Sequence, residues 1–72
     1  MTGYVIIIEG DETAGFSSYA PDLPGVVAAA ATYEECVALM REAVAFHLDG
    51  MREDSEPIPV PTTVGVETVT AA

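Results

Sequence analysis

Residues 14–44 read AGFSSYAPDLPGVVAAAATYEECVALMREAV, and this stretch decides the fold of the 72-residue chain. Its centre is a corner, Pro21-Asp22-Leu23-Pro24-Gly25. Two prolines fix φ near −65° and remove two backbone donors, whereas Gly25 permits a positive φ. The corner therefore predicts a turn through which neither a helix nor a strand ladder continues.

A helix start follows the corner. Thr32 and Glu35 form the Thr-x-x-Glu pattern of a capping box, in which the threonine hydroxyl accepts from the N–H of Glu35 and the carboxylate reaches back to the N–H of Thr32. Glu34 adds negative charge at the positive end of the helix dipole. The predicted helix covers residues 33–51. Its apolar stripe, expected to face a sheet, consists of Tyr33, Val37, Met40, Val44, Leu48 and Met51.

Four apolar or β-branched runs outside this helix predict strands. Residues 4–8 form a continuous apolar run, which predicts a central strand covered on both faces. Residues 16–20 follow after a short glycine-containing loop, as in a hairpin. Residues 26–30 predict a weaker third strand, which an early helix could absorb because alanine is a poor strand former. Residues 64–70 predict a last strand, reached through an extended proline connector at residues 57–61. The order is β-β-β-α-β, an α+β fold in a single domain spanning residues 1–72.

The charge balance excludes some classes of function. Two arginines, no lysine and twelve acidic residues give a net charge of −10, which opposes direct binding to nucleic acid. An acidic surface instead suits attraction to a basic protein. One cysteine cannot form an internal disulfide, and no apolar run reaches the length of a membrane span, so a cytoplasmic protein is expected. Because so short a chain buries a small core, self-association into a homo-oligomer is also expected.

The reactive side chains do not form a catalytic or metal-binding pattern. Cys36 and His47 lie eleven residues apart on one helix, about 16 Å along its axis, which is too far for a shared reaction or ligand. The hydrolase residue types Ser17, Ser18, Asp22 and His47 occur without a nucleophile-elbow motif. Four acidic residues could converge on a metal, but they lack calcium-loop spacing and suit a solvated loop better: Glu9, Asp11, Glu12 and Asp22. No enzyme activity, cofactor or metal is predicted.

Leu39 and Phe46 are the better candidates for a functional role. They lie two turns apart on the helix face opposite the predicted apolar stripe, among acidic residues. Such a pair can anchor an interface, either with another copy of the chain or with a foreign protein.

The sequence resembles the N-terminal domain of HicB-family antitoxins. The resemblance rests on residues 15–25, on Thr32-x-Glu34-Glu35, on Glu42-Ala43 and on Pro57-Ile58-Pro59. It implies a partial RNase H-like fold, with three antiparallel strands, one packed helix and a fourth strand. It also implies that the chain binds a HicA-type toxin, a small basic mRNA-cleaving protein.

The chain departs from the family pattern at three positions. Val26 stands where a cysteine is common, Ala30 where a glycine is usual, and Cys36 where an alanine is common. Full-length HicB antitoxins usually carry a C-terminal DNA-binding domain, so we expect this domain to stand alone and not to repress its own operator by itself.

These observations lead to one functional hypothesis and two alternatives. The first is an antitoxin that occludes a basic toxin, with Asp11, Glu12 and Asp22 as electrostatic contacts and Leu39 and Phe46 as apolar contacts. The second is an orphan structural or regulatory module that oligomerises without a toxin. The third, a metal-dependent nuclease, rests on the fold alone, and fold does not carry function.

Overall fold

The computed structural model describes residues 3–71, in which three strands precede one long helix. The elements are β1 (Ile7–Asp11), β2 (Gly15–Ala20), β3 (Leu23–Ala30) and α1 (Tyr33–Glu53). The strands form one antiparallel sheet in the order β1-β2-β3. The predicted α+β class and the antiparallel sheet with one packed helix are confirmed.

The helix covers one face of the sheet, and the core lies between them. Side chains alternate along β2 and β3, so that small residues such as Ser18, Ala20 and Ala28 face the helix while Tyr19 and Val27 face away. Met40 and Cys36 on the helix are fully buried against this surface. The buried apolar core is small: Ala20, Leu23, Val26, Cys36 and Met40.

The prediction that the first strand is central is wrong. β1 starts at Ile7, three residues later than predicted, runs on to Asp11, and lies at the edge of the sheet because β2 pairs with both other strands. The ladder extends past Ile8 because the turn is tight: Asp11 Oδ1 accepts from the backbone N–H groups of Thr13 and Ala14, at 2.9 and 2.7 Å. Only residues 12–14 are left to form the turn.

The corner turns the chain as predicted, but the ladder resumes inside it. Ala20 pairs with Leu23, so the turn consists of Pro21 and Asp22, and β3 begins three residues earlier than predicted. A register shift between Tyr19 and Ala20 absorbs the extra residues of β3, and Gly25 adopts a φ of +88° there. The alanine run remains a strand rather than joining the helix.

Both ends of α1 carry specific caps. Thr32 Oγ1 accepts from the N–H of Glu35 at 3.1 Å and lies 3.0 Å from its carboxylate, so the glutamate meets the threonine hydroxyl rather than the backbone. The helix continues past Gly50 to Glu53. It ends where the N–H of Ser55 reaches the carbonyl of Arg52 and the N–H of Glu56 reaches that of Met51, with Ser55 at a φ of +56°.

The predicted fourth strand is not formed. Residues 64–70 pair with no strand of the described chain, and Val64, Val66 and Val69 are 98%, 61% and 86% exposed. Their β-branched residues favour an extended backbone, but a strand also needs an edge to pair with. The preceding proline segment crosses the end of the sheet, where the Tyr4 hydroxyl donates to the carbonyl of Pro59.

Candidate functional site

The outer face of α1 carries an exposed apolar pair within an acidic surround. Phe46 is 82% exposed and Leu39 is 44% exposed, as their positions on the helix predict. We call this surface the helix outer face. Its acidic residues, all exposed, are Glu35, Glu42, Asp49 and Glu53. The surface therefore offers apolar contact at its centre and negative charge around it, a combination suited to a basic protein partner.

A groove that the sequence did not reveal runs beside this face. It has a volume of about 400 Å³ and is lined by residues of both α1 and β3. Phe46, His47 and Met51 form its helical wall, and Val27 forms part of its strand wall. In the sequence, only the apolar character of Val27 pointed to this groove. Val27 and Phe46 line the groove together because of the way the helix packs on the sheet, which sequence periodicity does not predict.

The sheet face turned away from α1 is a second apolar surface, called here the open sheet face. The strand register places Ile7, Tyr19 and Val27 in one row across it. Tyr19 is 44% exposed and Val27 is 66% exposed. A neighbouring row consists of Glu9, Ser17 and Ala29, so a carboxylate lies beside the apolar row.

The three predicted electrostatic contacts do not form one cluster. Asp11 and Glu12 lie at the β1–β2 turn, whereas Asp22 lies at the β2–β3 turn, at the opposite end of β2. Glu12 is exposed, and Asp11 holds its own turn together through one carboxylate oxygen. Among these three, only Asp11 and Glu12 are neighbours in the structure.

Asp22 has a structural contact that the sequence did not predict. Its carboxylate accepts from the N–H and the hydroxyl of Thr62, at 3.2 and 2.9 Å, and from the N–H of Thr63 at 3.0 Å. These bonds lower the pKa of Asp22, the backbone bond from Thr63 having the largest effect and the Thr62 hydroxyl the next. The carboxylate ties the C-terminal segment to the corner.

The structure does not assemble the residue types of a hydrolase. The Cys36 thiol is buried and points to the carbonyl of Ala28 at 3.9 Å, and the hydroxyl of the buried Ser18 lies 3.5 Å from the same carbonyl. Ser17 faces the opposite side of the sheet, and His47 lines the groove beside β3. Within residues 3–71, no three histidine, cysteine or acidic side chains are close enough together to hold a metal ion.

The described part of the chain contains no helix with the length and hydropathy to cross a bilayer.

Comparison with known proteins places the chain in a family. The model of the HicB_like antitoxin of bacterial toxin–antitoxin systems matches residues 4–71. The chain is also 40% identical over 45 residues to an uncharacterized 14.9 kDa protein in the rep-hol intergenic region of Haemophilus phage HP1 (strain HP1c1). That alignment covers 62% of this chain and 34% of the phage protein, so the matched part spans about a third of this relative. No solved structure matches the chain significantly.

The family match covers nearly the whole chain and includes the capped helix and the corner. The chain belongs to the HicB-like antitoxin family of bacterial toxin–antitoxin systems.

Proposed function

We propose that this protein neutralises a HicA-type toxin by binding it and occluding its RNA-binding surface. The helix outer face carries this proposal, because Phe46 is 82% exposed at its centre. Burying a phenylalanine side chain contributes about 1.5–3 kcal/mol, so covering this ring with a partner would contribute appreciably to the binding free energy. Leu39 extends the same apolar contact by two helical turns.

Charge supports a basic partner. The chain has a net charge of −10, and four exposed acidic residues surround Leu39 and Phe46. A toxin that binds RNA must carry a basic surface to hold the phosphate backbone. The acidic rim of the antitoxin attracts that basic surface, and binding there would exclude the RNA.

The acidic β1–β2 turn supplies a second contact in this proposal. Asp11 keeps one carboxylate oxygen outside its turn bonds, and Glu12 is exposed beside it. These groups would steer the toxin during association rather than contribute most of the binding energy, because exposed ion pairs are worth about 0–1 kcal/mol. Asp22 remains a proposed contact, but a weaker one, since its carboxylate already accepts hydrogen bonds from Thr62 and Thr63.

The experiment is a calorimetric titration of the purified protein with a catalytically inactive HicA-type toxin, which measures the binding affinity. Phe46→Asp and Leu39→Asp should each weaken binding by at least tenfold, because both place a charge in the apolar contact. The matched control is Ala38→Asp, an exposed helix position about 100° around the helix from Leu39. It should bind at least as tightly as the wild type, because it adds a carboxylate beside the acidic residues and not in the apolar contact.

Light scattering of the same variants separates toxin binding from self-assembly. If Phe46→Asp and Leu39→Asp keep the wild-type mass and lose the toxin, the helix outer face serves the toxin. If the mass falls instead and toxin binding is unchanged, the face serves self-association. A wild type that self-associates but binds no toxin would favour the orphan oligomerising module, for which the apolar row of the open sheet face is the supporting observation.

A further inference from the structure

The flank of α1 nearest β1 is only partly covered. The helix lies mainly over β2 and β3 and makes few contacts with β1. A cleft of about 580 Å³ is left along this flank. Its apolar lining is half-buried: Tyr4 and Ile6, which lie just before β1, form one side, and Val37, Val44 and Leu48 form the helix side. This volume is large enough to take several side chains of another segment.

The cleft is also the part of the surface where this acidic chain is least acidic. No aspartate or glutamate lines it, whereas Arg41 and Arg52, the two basic residues of the whole sequence, both do. Arg52 also bonds to Asp49 at 2.9 Å. A molecule with a net charge of −10 repels its own copies over most of its surface. A second copy therefore meets the least repulsion here.

Residues 64–70 have the properties of a strand that could fill this cleft. They are exposed and belong to no helix or strand of the described chain, and Glu67 is their only charged residue. In a strand, Val64, Val66, Thr68 and Thr70 would share one face, and all four are β-branched. Seven residues span about 23 Å at 3.3 Å each, which exceeds the roughly 16 Å of helix between Val37 and Leu48.

The segment is neither paired with its own sheet nor buried against it. Asp22 anchors Thr62 and Thr63 at the corner, and prolines at positions 57, 59 and 61 stiffen the connection before them. The radius of gyration is 13.7 Å, compared with about 11 Å for a compact domain of this length. A stiff connection that directs a strand away from its own sheet favours exchange with a second molecule.

We propose that residues 64–70 of one copy dock as a β-strand in the cleft between α1 and β1 of a second copy, and that the exchange is reciprocal. Val64 and Val66 would pack against Val37, Val44 and Leu48, and the pairing would lengthen the sheet beyond β1. A reciprocal exchange gives a closed two-fold dimer. This proposal goes beyond the proposed function, because it concerns the antitoxin alone and requires no toxin.

Disulfide trapping in the full chain tests the exchange directly. The native thiol is first replaced by Cys36→Ser, and then Ala45→Cys, at an exposed position lining the cleft, is combined with Val66→Cys. When two proteins carrying one change each are mixed and oxidised, a linked heterodimer should form. If a linkage forms only when both changes are in one chain, and that chain remains monomeric, the exchange is refuted.

Mass measurement provides the second test, with a matched control in the same segment. The wild type should scatter as a dimer of the 7.5 kDa chain. Val66→Asp should shift the mass toward the monomer, because it places a carboxylate in the cleft. Val69→Asp, on the opposite face of the strand, should remain a dimer. A monomeric wild type, or a dimer that Val66→Asp does not weaken, overturns the proposal.

Discussion

At the scale of single residues, Gly10 is fixed by close backbone approach. It lies opposite Phe16 in the β1–β2 ladder, with a φ of +124°. A Cβ added there would lie 2.1 Å from the carbonyl oxygen of Gly15. The backbone at Gly10 and the carbonyl of Gly15 both belong to a tight hairpin, so neither can move aside easily. Any other residue at this position strains the turn that carries Asp11 and Glu12.

Gly10→Ala should therefore lower the free energy of unfolding by about 2–4 kcal/mol, from the backbone clash together with the unfavourable φ. The matched control is Gly50→Ala, where no atom lies within 4 Å of the added Cβ. Because Gly50 lies inside α1, this change should stabilise the protein by about 0.5–1 kcal/mol. Urea unfolding followed by circular dichroism measures both. Equal effects of the two changes would contradict this account.

Asp22 is the second residue whose role depends on local geometry. Its carboxylate accepts three hydrogen bonds from Thr62 and Thr63, and these hold its pKa below the ordinary value of 3.8. Because the pKa of Asp22 is lower in the folded protein than in the unfolded chain, the anchor is fully present at pH values above 3.8. It is lost as the pH falls through the lower pKa of the folded protein. The C-terminal segment is therefore tied down at neutral pH.

Acidification should release this anchor only below pH 3.8. In a pH titration followed by NMR, the amide resonances of Thr62 and Thr63 should shift together as the Asp22 carboxylate is protonated. Asp22→Ala should abolish this shift and speed amide exchange at both threonines already at neutral pH. Asp11→Ala, which alters the other turn, should leave both threonine amides unchanged. A titration midpoint above 3.8 would disagree with the hydrogen-bonded geometry.

At the scale of elements, α1 is defined by its two caps rather than by its apolar pattern alone. Thr32 closes the first turn through the N–H of Glu35. At the other end, Ser55 and Glu56 bond back to Arg52 and Met51, with Ser55 in the left-handed region. The helix therefore runs three residues past Gly50 and carries Arg52 to the rim of the cleft beside β1.

Removing the N-terminal cap should cost about 1 kcal/mol. Thr32→Ala leaves the N–H of Glu35 without its partner, whereas Thr32→Ser keeps the hydroxyl and should change stability by only a few tenths of a kcal/mol. Thermal unfolding of the two variants distinguishes the lost hydrogen bond from a general effect of substitution at this position. If the serine variant is as unstable as the alanine variant, the cap is not the cause.

At the scale of the whole molecule, a small core is combined with a large net charge. Few apolar side chains are buried. The 72-residue chain also carries a net charge of −10, so its acidic groups repel one another. Such a domain gains stability from any partner that covers apolar surface or neutralises charge. The helix outer face and the cleft beside β1 lie on different flanks of α1, so a toxin and a second copy would not compete for the same residues.

The charge predicts a strong effect of salt on toxin binding. Raising ionic strength from about 0.01 M to about 1 M shortens the Debye length from about 30 Å to about 3 Å. The association rate with a basic toxin should fall by tenfold or more, whereas the dissociation rate should change little. Stopped-flow mixing measures both rates. Glu12→Gln should reduce the salt dependence, and an association rate insensitive to salt would argue against electrostatic steering.

The sequence alone determined the local features of this protein. The capping box placed the helix start at Tyr33, the corner placed a turn within residues 21–25, and helical periodicity placed Leu39 and Phe46 on an exposed face. Each of these follows from interactions within a few residues, which hydrogen bonding and backbone geometry fix without reference to distant parts of the chain.

Only the tertiary structure decided how these elements pair. Residues 4–8 and 64–70 both have the composition of strands, yet β1 lies at the sheet edge and the last segment pairs with nothing in the described chain. The bonds from Thr62 and Thr63 to Asp22 join residues about forty positions apart. Strand order, the anchor and the cleft beside β1 depend on contacts between distant residues, and periodicity along the chain carries no information about which edge a strand will meet.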